Sequence, residues 1–185
     1  MRCTICLGLL LVCHVHALAW PPAVARSPDR ATRRTEGLQA TPSPGIEVVN
    51  AAGKSLHLDD KTIKQLPSKK LEIKDAASKV AVYEGVPLNN LLEKGGIKIE
   101  SELRGARLAN YLLVQAKDGY RVVFALPEID PAMNDNLILL AHTKDGVALN
   151  EKEGPYRILM PHEKQHARWV RQVTKISELT SPNGK

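Results

Sequence analysis

The sequence predicts an α+β domain in which strands dominate. Two features carry that prediction. Short runs rich in Val, Ile, Leu and Tyr alternate in the manner of half-buried strands, and Asp-Gly and other Gly- or Pro-containing turns separate them. The helical stretches between them are few and short, and no internal repeat is visible.

Taken in order, Ile46 to Asn50 and Ser55 to Leu58 flank Ala51-Ala52-Gly53-Lys54, which predicts a hairpin with a glycine-containing loop. Asp59 and Asp60 precede Thr62, Ile63 and Leu66, an acidic cap before one or two helical turns that Pro67 stops. Leu71 to Ile73 and Val80 to Tyr83 alternate as strands. Pro87 opens a helix carrying Leu88, Leu91 and Leu92, and Gly95-Gly96 closes it. A second helix is expected around Ser101 to Ala109, with Gly105 weakening it. Tyr111 to Gln115 and Arg121 to Ala125 flank Asp118-Gly119, and Leu137 to His142 and Val147 to Leu149 flank Asp145-Gly146. Each Asp-Gly predicts a hairpin, because a tight turn needs residues that tolerate positive φ. Tyr156 to Met160 reads as a further strand. The segment from His162 to Leu179 reads as a turn of helix followed by a strand, since β-branched residues dominate its end.

The ends of the chain carry a different signal. Arg2, the apolar run from Ile5 to Val15 and Ala17-Leu18-Ala19 form the three parts of a secretory signal peptide, with cleavage expected after Ala19. The run is too short to span a bilayer as a helix, so no membrane span is expected after cleavage. Cys3, Cys6 and Cys13 all lie within residues 1–19. The processed chain is therefore expected to have no disulfide, no thiolate ligand and no cysteine nucleophile. Residues 20–45 are rich in Pro and Arg and read as a linker or as a basic arm for acidic partners. Residues 46–180 suit one domain, and 181–185 form a tail. The net charge of +6 is dispersed and aromatics make up only 4% of the chain, so no base-stacking basic stripe exists and nucleic acid is not an expected partner. The destination read from the leader is the periplasm or the exterior.

Four segments then occur in a telling order: YEGVPLNNLLEKGGI (83–97), AKDGYRVVFALPEID (116–130), NLILLAHTKDGVALNEKEGPYRILMP (136–161) and ARWVRQVTKI (167–176). Together they resemble the landmarks of the molybdopterin-binding domain of sulfite-oxidase-like oxidoreductases. The resemblance is close over 83–179 and loose over 46–82. It implies mixed sheets forming a barrel-like core with short helices, and molybdopterin as the cofactor. In active enzymes of that family a cysteine before the GVPL helix ligates molybdenum. The matching stretch here, LEIKDAASKVAV (71–82), has no cysteine and offers only Glu72, Asp75 and Ser78 as oxygen donors. A hard carboxylate does not replace a soft thiolate in tuning a redox metal. The resemblance thus implies a short member of the family without standard sulfite-oxidase chemistry.

The same resemblance implies that the basic segment after Pro161 contacts the pterin and its phosphate through His162, Lys164, His166 and Arg168. Arginine grips phosphate bidentately and lysine acts as a point charge. The other reading of these residues is a solvated basic turn. The resemblance also implies that the Asp118-Gly119 hairpin lies on the substrate side, which makes Tyr120 the candidate substrate contact and catalytic residue, with a structural strand tyrosine as the alternative. Tyr83 and Trp169 are expected as core anchors. His162 and His166, at i and i+4, raise a copper or zinc carrier as a lower-ranked reading, although two histidines alone do not complete a tetrahedral site. Three functions remain in view: an exported molybdopterin-binding oxidoreductase domain, a non-catalytic periplasmic module for a small anion or a protein partner (a redox partner included), and a copper or zinc carrier.

Overall fold

A computed structural model describes residues 44–74, 79–99 and 103–181. The expected leader, most of the Pro/Arg-rich segment, Asp75, Ser78 and most of the tail lie outside these residues. Among the described residues ten strands build two sheets. The first hairpin joins β1 (Gly45–Val49) to β2 (Ser55–Asp59). The Asn50 side chain shapes its loop by accepting from the N–H groups of Ala52 and Lys54 at 3.1 and 3.0 Å. Asp59 then accepts from the Thr62 N–H at 2.8 Å and caps α1 (Asp60–Lys64).

β3 (Lys69–Lys74) and β4 (Val80–Pro87) pair antiparallel, and β4 runs directly into α2 (Leu88–Lys94) at Pro87. β5 (Tyr111–Ala116) and β6 (Arg121–Ala125) form the hairpin around Asp118-Gly119, where Gly119 has a φ of +88°. β7 (Leu139–Lys144) and β8 (Val147–Ala148) turn through Asp145 and Gly146, both at positive φ, the geometry that favours Asp-Gly. β9 (Arg157–Leu159) pairs with β7, and β10 (Val173–Leu179) ends the described fold. The strand-rich α+β class and its hairpins hold.

The expected helix at 101–109 does not form as such. Among the described residues only a 3-10 turn exists there, Gly105–Ala109, and Gly105 opens it at a φ of +56°. That conformation is incompatible with a continuing right-handed helix.

One sheet has the order β2-β1-β10-β5-β6; the other has β3-β4-β7-β8, with β9 also on β7. All pairings are antiparallel except β1 with β10, which are parallel. One core fills the fold. Ile46, Val48, Leu112, Val114, Phe124 and Ile176 come from the first sheet, Val86, Leu140 and Ile158 from the second, and Leu88, Leu91 and Leu92 from α2, each fully buried.

Two features of the second sheet depend on local geometry. At Gly85 an added Cβ would fall 2.5 Å from the Ala141 Cα and against the Leu140 carbonyl oxygen, so the strands approach too closely for any side chain. Beside it the register shifts: Glu84 faces Thr143 and Gly85 faces Ala141, leaving His142 as the extra residue of a bulge. Burial holds the His142 imidazole below its ordinary value; Lys64 adds to this, and Glu84 and Asp60 oppose it. Nearby, the buried Tyr156 donates its hydroxyl proton to Asp60 at 2.8 Å, which ties the residue just before β9 to α1.

Two outcomes are expected. Gly85→Ala should lower the unfolding free energy by about 1–3 kcal/mol in urea titration, because the contact is with backbone that cannot move aside. His142 favours its neutral form in the fold, so its contribution to stability is complete above the unfolded value of 6.5 and declines as pH falls from there through the lower folded value. Stability measured from pH 7 downward should therefore decline less steeply in His142→Gln than in the wild-type protein; equal slopes would refute this.

Candidate functional site: a cavity with two arginines and a fastened basic loop

Strand β9 and the end of the β5–β6 hairpin frame a cavity of about 360 Å³, lined by Tyr120, Arg157, His166, Trp169 and Arg171 with Asp118 at its rim. Arg157 is the best held of its cations. Its guanidinium lies 6.0 Å from the centre of the Tyr83 ring and 5.8 Å from that of Trp169. It also pairs with Glu153. Two such rings favour a cation through their quadrupoles and limit its freedom. The Arg157 Nε is buried and makes no hydrogen bond in the structure. A buried donor without an acceptor is costly, which marks it as a place where an acceptor would be favourable.

The aromatic neighbours are equally fixed. Trp169 is 7% exposed and donates its Nε1–H to the Met160 carbonyl at 3.1 Å. His166 stacks on it with ring centres 3.7 Å apart. Tyr83, also buried, carries the Lys144 ammonium 5.3 Å from its ring centre. The expectation that Tyr83 and Trp169 anchor the core holds, and Trp169 also forms a wall of the cavity.

The four basic residues expected to act together are divided by the fold. His166 faces the Arg157 cavity, whereas His162 and Arg168 line a second, smaller cavity of about 80 Å³ with Glu128 and Glu163. Lys164 is exposed and lines neither. Arg168 is already engaged: its Nε donates to Glu163 at 2.6 Å and its Nη1 to Glu128 at 3.0 Å. Burial would pull its pKa down, but the two carboxylates outweigh that and raise it. His162 and His166 do not share a helical face. His162 lies in the turn after Pro161, and a single 3-10 turn, His166–Arg168, begins four residues later. Among the described residues no three His, Cys, Asp or Glu side chains converge as a metal site.

Tyr120 lies at the mouth of the first cavity, 48% exposed, with its hydroxyl donating to the Ala167 carbonyl at 2.7 Å. It therefore fastens the basic loop to the β5–β6 hairpin while presenting its ring to the cavity.

Arg157 and Arg171 were missed by sequence reasoning, which stopped at Arg168. The available signal was a single charged residue, Arg157, in the otherwise apolar run Tyr156 to Met160. No comparable signal marks Arg171.

With this geometry in place, the comparisons with known proteins are direct. A family model for the oxidoreductase molybdopterin binding domain matches residues 46–184, and the chain belongs to that family. No curated protein matches the chain in sequence. Among solved structures, a chain of the sulfane dehydrogenase SoxCD from Paracoccus pantotrophus has the same fold, with a TM-score of 0.56 and 18% identity. The match covers 76% of this chain and 43% of that one, so the protein spans less than half the length of its structural relative.

The residues present fit part of the family's cofactor. Two arginines, one of them with an unpartnered buried Nε, and a histidine suit an anionic group such as a phosphate. They do not fit protein ligation of molybdenum by a thiolate, because no cysteine occurs among the described residues and Glu72 in β3 is an exposed hard donor.

If Tyr120 fastens the loop, Tyr120→Phe should cost about 0.5–1.5 kcal/mol of stability, the usual net value of one hydrogen bond. Hydrogen exchange around Ala167 should rise in the same variant; unchanged exchange would place the fastening elsewhere.

Proposed function

We propose that the protein is an exported ligand-binding member of the molybdopterin-binding family, holding a phosphate-bearing pterin or a related small anion in the Arg157–Arg171 cavity. The carrying observation is that cavity: two arginines and His166 around a space of about 360 Å³, with the Arg157 Nε buried and unpartnered. Arg157 and Arg171 would hold the anionic end, and Tyr120, His166 and Trp169 would flank the planar part of the ligand. Molybdenum, when carried by such a pterin, supplies oxidation–reduction chemistry. The described residues offer no thiolate to tune it, and the proposed activity is binding rather than standard sulfite-oxidase turnover. Cleavage of the leader after Ala19 would leave a chain without any cysteine, in keeping with a site that relies on charge and hydrogen bonding. The leader supports a periplasmic or secreted location.

The test is retention of ligand by protein purified from the periplasm of a host that makes molybdenum cofactor. Released pterin is read by fluorescence after denaturation and oxidation, and metal by elemental mass spectrometry. The wild-type protein should carry pterin, and Arg157→Ala with Arg171→Ala should reduce retention at least about tenfold, as expected for loss of charged hydrogen bonds. Arg26→Ala should have no effect. A wild-type protein without pterin would instead favour a module for another anion or a protein partner. Equal retention in the double variant would remove these arginines from the site.

A further inference from the structure

Arg168 is arranged as an oxyanion receptor whose receptor edge is already taken. A guanidinium binds carboxylate or phosphate best along an edge where two N–H groups run side by side. Here the Nε and Nη2 edge is directed at a single oxygen, Glu163 Oε1, with the Nε contact at 2.6 Å. Everything else about Arg168 holds the guanidinium still. Its Nη1 donates to Glu128 Oε2 at 3.0 Å and approaches the Val123 carbonyl at 3.4 Å, and its guanidinium carbon lies 5.1 Å from the centre of the Phe124 ring.

The two carboxylates are not equivalent. Glu128 is committed to the fold, because its other oxygen accepts from the Ala125 N–H at 3.1 Å at the end of β6. Glu163 sits on the turn after Pro161, where its own N–H donates to the Met160 carbonyl at 3.1 Å. Beside it lies the 80 Å³ cavity, lined by His162, Met160 and Asn136 among others. Swinging Glu163 away would open the guanidinium edge to that cavity, next to an imidazole.

We infer that Glu163 is a tethered competitor: it occupies the Arg168 edge in place of a free oxyanion of the phosphate type, and such an anion binds there, alongside His162, by displacing it. This deepens the anion-binding reading of the basic loop by naming what regulates its other half, and it rests on residues outside the Arg157–Arg171 cavity. The loop would then change shape when the site fills. Its two fastenings, Tyr120 to Ala167 and Arg168 to Glu128, keep the C-terminal end of the loop in place while Glu163 moves.

Inorganic phosphate, titrated by calorimetry at low ionic strength into the full chain, is the probe. Phosphate also reports on the Arg157–Arg171 cavity, so the comparison is made in the Arg157→Ala/Arg171→Ala background as well as in the wild-type protein. Glu163→Gln should bind phosphate at least about fivefold more tightly than its parent in both backgrounds, the lower range of typical coupling between competing contacts. Adding Arg168→Met should abolish the gain. Melting temperature gives a second readout: Glu163→Gln should melt lower than the parent in chloride and regain stability when phosphate is added. Unchanged affinity in Glu163→Gln, or a gain that survives Arg168→Met, would overturn the proposal and leave the pair as a structural tie. Loss of phosphate binding only when Arg157 and Arg171 are removed would sink this inference while sparing the proposed cavity.

Discussion

The fold depends on the insertion of β10 between β1 and β5. Its pairing with β1 is parallel, Glu47 to Lys175 through Val49 to Ser177, and its pairing with β5 is antiparallel, Val173 to Ala116 through Leu179 to Tyr111. Without it the first sheet is two separate hairpins, each too small to bury a face of its own. Parallel pairing joins segments more than a hundred residues apart, so the sheet closes only once the rest of the chain is in place. Val173 and Ile176, both fully buried, anchor the strand to the core. Glu178, 5% exposed, anchors its far end by accepting from the Ala51 N–H and the Asn110 side chain, each at 3.2 Å. A buried carboxylate is stable only with such donors around it, so this end of β10 is specified by polar as well as apolar contacts.

That insertion also positions the basic loop. Because β10 must begin at Val173 and β9 must end at Leu159, residues 160–172 bridge a fixed gap between the two sheets. Trp169 and Val170 turn inward across the gap, and the Ile158 N–H donates to the Val170 carbonyl at 2.8 Å. Of the residues between, Met160, His162, Glu163 and Arg168 line one cavity, and His166, Ala167, Trp169 and Arg171 line the other. The division of His166 from His162 and Arg168 follows from this geometry rather than from any preference of the residues themselves.

The site is electrostatically economical in a way that its charge count does not convey. Arg168 carries two carboxylates and Arg157 one, so the most buried cations are also those already compensated. A guanidinium withdrawn from water is costly unless paired, which explains why Glu128, Glu153 and Glu163 are gathered around these arginines. A ligand of the proposed site would consequently compete with internal carboxylates and use donors left over, such as the Arg157 Nε, rather than respond to net positive charge.

Sequence alone determined what depends on neighbours along the chain. The Asp-Gly turns, the Asp59 cap, the Pro87 helix start and the alternation of the strands are local effects of backbone conformation and side-chain period, and they appear where the sequence places them. The missing thiolate is equally a matter of composition. The helix expected at 101–109 gives way to a 3-10 turn because Gly105 takes a positive φ, the weakness its glycine already signalled. Tertiary structure alone decided which cations share a cavity, because β9, the β5–β6 hairpin and the bridge to β10 converge from distant parts of the chain. It brought Arg157 and Arg171 to Tyr120 and His166, turned Arg168 toward Glu128 and Glu163, and left Lys164 in solvent. Spacing along a chain reports a shared surface only within one helix or strand, and these residues lie on a turn whose two faces look in different directions.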